Sequence, residues 1–167
     1  QEEAVGAILS GRDALCVMPT GAGKSMCYQI PALMLGGTTI VISPLISLMK
    51  DQVEGLQQSG VSAACINSSL STAEYFSVLD RASAGEYSII YVAPERLSTE
   101  NFLEMCRNIT IPLVAVDEAH CVSHWGQDFR PSYLKIAEFI SRLPYRPVIG
   151  AFTATATEQV KQDIIAL

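Results

Sequence analysis

The chain has 167 residues, of which 49% are hydrophobic and 17% charged, with a formal net charge of −6. That composition excludes a disordered or collagen-like chain, and a domain of this size buries about 70% of the surface its unfolded form exposes. No apolar run approaches the roughly 20 residues of a membrane helix, so no membrane partner is expected, and the acidic balance means that any nucleic-acid contact must come from particular residues rather than from bulk charge.

In chain order, strand-like and helix-like stretches alternate. The opening QEEAVGAILSG carries no signal-peptide pattern. ALCVM (14–18) reads as a strand and KSMCYQIPALML (24–35) as a helix. TTIVIS (38–43) reads as a strand. It leads into a helix over 44–60, with Ser43 as N-cap and Pro44 at the first helical position. Apolar residues at 45, 48, 49, 53 and 56 keep helical spacing, and Gly60 ends the run. SAACI (62–66) is a strand. Ser71 with Glu74 forms a capping-box pattern for a helix reaching about Ala84. SIIYVA (88–93) is a strand, followed by a helical piece over 94–107. PLVAVD (112–117) is a strand, and a loop then leads to a helix over 132–142. PVIGAF (147–152) is the last strand, with a final helix from about Thr157, capped by that residue or started by Thr155 with Glu158.

Continuous aliphatic strands of this kind belong to a parallel sheet covered on both faces. The repeated strand–helix alternation predicts an α/β fold, doubly wound and mostly parallel. Five cysteines (Cys16, Cys27, Cys65, Cys106 and Cys121) show no CxxC spacing. No zinc site is expected, and reduced thiols buried as small hydrophobes are expected at all five.

MPTGAGKS (18–25) lies between a strand and a helix, where a phosphate-binding loop is found. Thr20, Gly21, Ala22 and Gly23 supply a chain able to wrap around phosphates, with Gly21 and Gly23 spared a Cβ. Lys24 brings a positive charge to the outer phosphates and Ser25 a hydroxyl to magnesium. Met18 stands where the usual pattern begins with glycine; the core from Gly21 to Ser25 is intact. VAVDEAH (114–120) ends an apolar strand in acid residues. Asp117 is placed to hold magnesium and Glu118 to orient or deprotonate an attacking water. HWGQDFR (124–130) supplies His124, Trp125, Phe129 and Arg130 within seven residues, the aromatic-plus-cationic mix that holds single-stranded nucleic acid by stacking. The competing reading of Phe129 and Trp125 is as core residues. Ser43 in SPLISL has a similar double reading, as an N-cap or as a phosphate contact.

Together, PTGAGKS and DEAH resemble the motor core of superfamily 2 helicases, within which VISPLISLMKDQV (41–53) looks like motif Ia, YVAPERL (91–97) like motif Ib and AFTATAT (151–157) like motif III. The aromatic-rich run directly after DEAH, in DEAHCVSHWGQDFRPSYLKI (117–136), resembles the RecQ family of DNA helicases. That resemblance implies an ATP- and Mg2+-dependent 3′-to-5′ DNA-unwinding enzyme of recombination and repair. Residues 1–167 would be the first of its two RecA-like domains and part of a longer protein. It implies single-stranded and duplex DNA and the second RecA-like domain as partners. The implied location is cytoplasmic, at the nucleoid in a bacterium or nuclear in a eukaryote. It also implies that Gln1 reads adenine, that His120 relays between the nucleotide site and motif III, and that the arginine finger lies in the second domain. A DEAH-type RNA helicase and an ATP-responsive binding module without productive hydrolysis are the alternative readings; a nucleotide kinase would leave DEAH and TAT without a role.

Overall fold

The computed structural model describes all residues, 1–167. Six strands form one sheet: β1 (Ala14–Val17), β2 (Thr39–Ile42), β3 (Ala63–Ile66), β4 (Ile89–Val92), β5 (Leu113–Val116) and β6 (Val148–Thr153). Their spatial order is β1-β6-β5-β2-β4-β3, and every pairing is parallel. The α/β expectation therefore holds. Helices cover both faces: α1 (Glu2–Leu9), α2 (Met26–Leu35), α3 (Ile46–Gln58), α4 (Thr72–Ser83), α5 (Glu100–Arg107), α6 (Lys135–Ser141) and α7 (Glu158–Ala166).

Strand period two sorts the core into two layers. Ile40, Ile42, Ile90, Val92, Val114 and Val116 pack against Leu79 of α4, Phe102 of α5, Phe139 of α6 and Val160 of α7. The intervening Val41, Ile89, Tyr91, Leu113 and Ala115 pack against Ile8 of α1, Tyr28 of α2 and Met49 of α3. Strands β2, β4 and β5 are buried at every position, which is why their sequences read as unbroken aliphatic runs.

Several expectations need correction. The N-terminal helix α1 carried no sequence assignment; it packs on α2 and buries Ile8. Ser43 is not an N-cap. Its N–H donates to the Val92 carbonyl, 3.1 Å, which keeps it in the sheet ladder, and α3 starts only at Ile46 after Leu45. The Ser43 hydroxyl is buried without a protein partner. The helical piece over 94–107 is two pieces, a 3-10 turn at Pro94–Arg96 and then α5, because Thr99 is extended between them. Likewise Pro131–Leu134 is a 3-10 turn ahead of α6. Of the five cysteines, all free, Cys27, Cys106 and Cys121 are buried, whereas Cys16 and Cys65 are half-buried. These last two sit on β1 and β3, the two edges of the sheet, where one flank has no neighbouring strand.

The capping box at Ser71 forms as expected. Its hydroxyl accepts from Glu74 N–H, 3.2 Å, and Glu74 Oε2 accepts from Ser71 N–H, 2.7 Å. At the last helix it is Thr157 that caps, accepting from Val160 N–H, 3.3 Å. Gly60 follows α3 with φ +81°, a left-handed turn residue as its position required.

Candidate functional site

In a parallel sheet all strands end on the same edge, so the loops after β1, β5 and β6 converge. Strand β6 lies between β1 and β5, and the Met18 N–H donates to the Thr153 carbonyl, 2.9 Å, fastening the start of the phosphate loop to the end of β6. Gly21 (φ +83°) and Gly23 (φ +76°) take left-handed conformations that a Cβ would oppose. This is the turn the sequence called for, and it forms with Met18 in place of the first glycine.

Within the loop, the Ala22 N–H donates to the Pro19 carbonyl, 3.1 Å, whereas no backbone carbonyl accepts from the N–H groups of Gly21, Gly23, Lys24 or Ser25. Those amides stand ahead of α2, which begins at Met26. Unpaired amides at a helix N-terminus, together with a lysine, form a donor set that fits a polyphosphate. Gln1 reaches the same loop. Its Nε2 donates to the Ala22 carbonyl, 2.6 Å, so the residue expected to read adenine is tied to this loop.

Lys24 Nζ lies 3.2 Å from Asp117 Oδ1 and 3.0 Å from Glu118 Oε1. The lysine and both acids of DEAH, 93 and more residues apart in sequence, thus meet at one point. Burial works against the charge on Lys24, but the Asp117 and Glu118 carboxylates outweigh it and raise its pKa. Asp117 is also pushed up, first by burial and then by the neighbouring Glu118 charge, with Lys24 opposing.

Glu118 has φ +48°, the one non-glycine residue in the left-handed region. Such a conformation costs on the order of 1 kcal/mol and is retained where the surroundings impose it. Here the Glu118 N–H donates to Asp117 Oδ1, 2.9 Å, and the buried Tyr133 hydroxyl donates to the Asp117 carbonyl, 2.8 Å. The chain therefore turns sharply off β5 and presents both carboxylates toward Lys24. Nothing in the sequence around Tyr133 marks it for this role.

His120 joins the acids to the end of β6. Its Nδ1 is 3.3 Å from Glu118 Oε2 and 2.8 Å from Thr153 Oγ1. The Thr153 hydroxyl donates its single proton to the Thr155 carbonyl, 3.2 Å, so it accepts from His120 and Nδ1 carries the hydrogen. With this assigned tautomer, His120 touches the acid pair and the TAT segment at once.

The loop over 123–130 treats its four candidate residues differently. Trp125 is 76% exposed. His124 and Phe129 stack on each other, centroids 3.8 Å apart, so one face of Phe129 is covered, and it is neither core nor a free platform. Arg130 is held by Asp128 through two hydrogen bonds, 3.0 and 2.8 Å. A cleft of about 240 Å³ separates this loop from the β6–α7 turn, lined by His120, Trp125, Gly126, Thr155 and Thr157 among others. An apolar cavity of about 480 Å³ lies away from these groups, lined by Ile136 and Ile140 of α6, Ile164 of α7 and Leu15 of β1. Its two charged lining residues, Asp13 and Arg146, are paired with each other, 2.6 Å.

The family model described as DEAD/DEAH box helicase matches residues 1–163. The ATP-dependent DNA helicase RecQ of Bacillus subtilis is 53% identical over 165 residues, covering 98% of this chain and 28% of that protein. RecQ of Haemophilus influenzae is 47% identical over 165 residues, 99% of this chain and 26% of that protein. The chain thus spans about a quarter of the length of these relatives. A hypothetical ATP-dependent RNA helicase from Sulfolobus tokodaii superposes with a TM-score of 0.73 at 21% identity, over 99% of this chain and 48% of that one. The Mycobacterium smegmatis helicase Lhr bound to ssDNA and AMP-PNP superposes with a TM-score of 0.75 at 18% identity, over 97% of this chain and 23% of that one. At such identities these two share the RecA-like fold alone. The family model spans nearly the entire chain, so the chain belongs to the DEAD/DEAH box helicase family, and within it is similar over nearly its whole length to the RecQ helicases.

Proposed function

We propose that residues 1–167 are the first RecA-like domain of an ATP-dependent, 3′-to-5′ DNA helicase acting in recombination and repair. The protein would work in the cytoplasm, at the nucleoid or in the nucleus according to its host. The observation that carries the proposal is the meeting of Lys24 with Asp117 and Glu118 beside four unpaired loop amides. Bound ATP-Mg2+ would supply a cleavable phosphoanhydride and a Lewis acid. Gln1 would reach the adenine, and Thr20, Gly21, Ala22 and Gly23 would wrap the phosphates, with backbone N–H groups donating from Gly21, Gly23, Lys24 and Ser25. Lys24 would turn from the carboxylates to the outer phosphates, and Ser25 with Asp117 would hold the magnesium. Freed of Lys24, Glu118 would orient the attacking water and take its proton. His120 would carry the change at Glu118 to Thr153 and the turn after β6.

Trp125, with His124, Phe129 and Arg130, is the proposed contact for single-stranded DNA, worth on the order of 1–3 kcal/mol per stacked base. The partner that completes the ATP site is the second RecA-like domain of the same polypeptide. The test is unwinding of matched DNA and RNA duplexes by the longer protein, with wild type beside Glu118→Gln. ATP-dependent unwinding of DNA alone, lost in the variant, is expected. Equal unwinding of RNA would favour an RNA helicase, and unaltered activity of Glu118→Gln would favour a binding module.

A further inference from the structure

The aromatic loop is closed at its base by the Arg130 N–H, which donates to the Cys121 carbonyl, 2.9 Å. A second fastening runs to a helix distant in sequence. Ser123 is only 1% exposed. Its hydroxyl donates to Asp163 Oδ2, 2.5 Å, and accepts from the Trp125 N–H, 3.1 Å. Asp163 lies on α7, which starts directly after the TAT segment, and its other oxygen accepts from Gln159 Nε2, 2.9 Å.

The direction of these bonds follows from the groups. A carboxylate only accepts, so the single Ser123 proton goes to Asp163, and the lone pair left on Oγ is available to the Trp125 amide. Hydroxyl-to-carboxylate bonds of this length are charge-assisted and about twice as strong as neutral ones. The Ser123 and Gln159 bonds keep the Asp163 carboxyl below the usual carboxylate range, so it is ionised at neutral pH. One anion on α7 thereby fixes a buried serine, and that serine fixes the backbone of the most exposed aromatic residue in the loop.

We propose that Asp163 is a positioning residue for DNA recognition: acting through Ser123, it sets the backbone at Trp125 and ties the aromatic loop to α7, whose first turn lines the far side of the intervening cleft. This rests on the reading of Trp125 as a contact for single-stranded DNA. Asp163 touches neither nucleotide nor DNA in this scheme; it acts on the loop through Ser123.

The chain has one tryptophan, so Trp125 emission reports this loop alone. Acrylamide quenching without DNA, titration with an oligothymidylate and binding of a fluorescent ATP analogue are measured on the chain as wild type, Asp163→Ala and Asp163→Asn. Asp163→Ala should raise acrylamide quenching and weaken oligothymidylate binding about tenfold, the order of one charge-assisted hydrogen bond, with ATP-analogue affinity unchanged. Asp163→Asn, which keeps a carbonyl oxygen for the Ser123 hydroxyl but loses the charge, should fall between wild type and Asp163→Ala in quenching and oligothymidylate binding, with ATP-analogue affinity unchanged. Asp163→Ala matching wild type in both quenching and titration would overturn the proposal, as would Asp163→Asn falling as far as Asp163→Ala. If wild-type Trp125 does not respond to the oligonucleotide, the DNA reading of the loop fails, while the DNA-free quenching still decides whether Asp163 holds the loop.

Discussion

Replacing Lys24 by Met separates the electrostatics of the site from its chemistry. Lys24 is the cation within 3.2 Å of Asp117 and 3.0 Å of Glu118, and the three side chains are 14%, 6% and 22% exposed. At an effective dielectric of about 20, each contact is worth about 5 kcal/mol of gross Coulomb energy. Desolvation of the charges offsets much of that, and removing one partner from a fully buried pair costs about 3–5 kcal/mol. Water reaches Lys24 and Glu118, so a loss of about 2–3 kcal/mol is expected for Lys24→Met at neutral pH.

The pH dependence carries a sign. Burial already holds the Asp117 pKa above its ordinary value, and Lys24 is what restrains it. Without Lys24 the folded-state pKa rises further above the unfolded one. The cost of the ionised carboxylate is then full above the folded pKa, fades as pH falls through it, and is gone below the unfolded pKa of about 3.9. Urea unfolding at about pH 7.5 and about pH 5 should show the gap between wild type and variant shrinking in acid. Adding Asp117→Asn to Lys24→Met should recover most of the loss at neutral pH, because no uncompensated charge then remains at that position. A gap below about 0.5 kcal/mol, or one independent of pH, would refute the account, since surface ion pairs give such values.

If the Trp125 loop, which follows Glu118 by only a few residues, passes DNA binding on to the catalytic acid, Trp125→Ala in the longer protein should abolish stimulation of ATP hydrolysis by single-stranded DNA while leaving nucleotide affinity intact; hydrolysis assayed with and without oligonucleotide decides it, and full stimulation of the variant would refute that link. The chain alone should turn over ATP about 10³–10⁵ more slowly than the longer protein, the contribution of an arginine finger, and steady-state hydrolysis by both forms checks this. Tyr133→Phe removes the donor to the Asp117 carbonyl and should cost about 1–2 kcal/mol in urea unfolding. Glu74 has its pKa lowered by the Ser71 N–H and then the Ser71 hydroxyl. Its stabilising effect should be present above the ordinary carboxylate pKa and lost as pH falls through the lowered one, so wild type and Glu74→Gln should converge in acid melts.

Much of the fold was legible because strand and helix periods are local properties. The aliphatic runs of β2, β4 and β5 declared a sheet covered on both faces, and Ser71 with Glu74 declared the start of α4. Where tertiary pairing competes with a local signal, the local signal loses. Ser43 followed by Pro44 has the chemistry of a helix start, yet the ladder to Val92 holds Ser43 in the sheet and delays α3 to Ile46. The helix α1 was missed because eight residues of modest amphipathicity gain their stability from packing on α2 rather than from their own pattern.

The amino-acid order by itself determined the chemical parts: a glycine turn ending in Lys24 and Ser25, an acid pair at the tip of a strand, and an aromatic segment after it. Side-chain type and near-neighbour spacing are enough for that. Only the tertiary structure decided which parts touch. The strand order β1-β6-β5 brings Lys24 to Asp117 and Glu118, leaves Trp125 open while Phe129 is covered by His124, and spans forty residues to join Ser123 to Asp163. Those distances follow from how strands pair across the sheet, a property of the whole chain that no window of sequence contains.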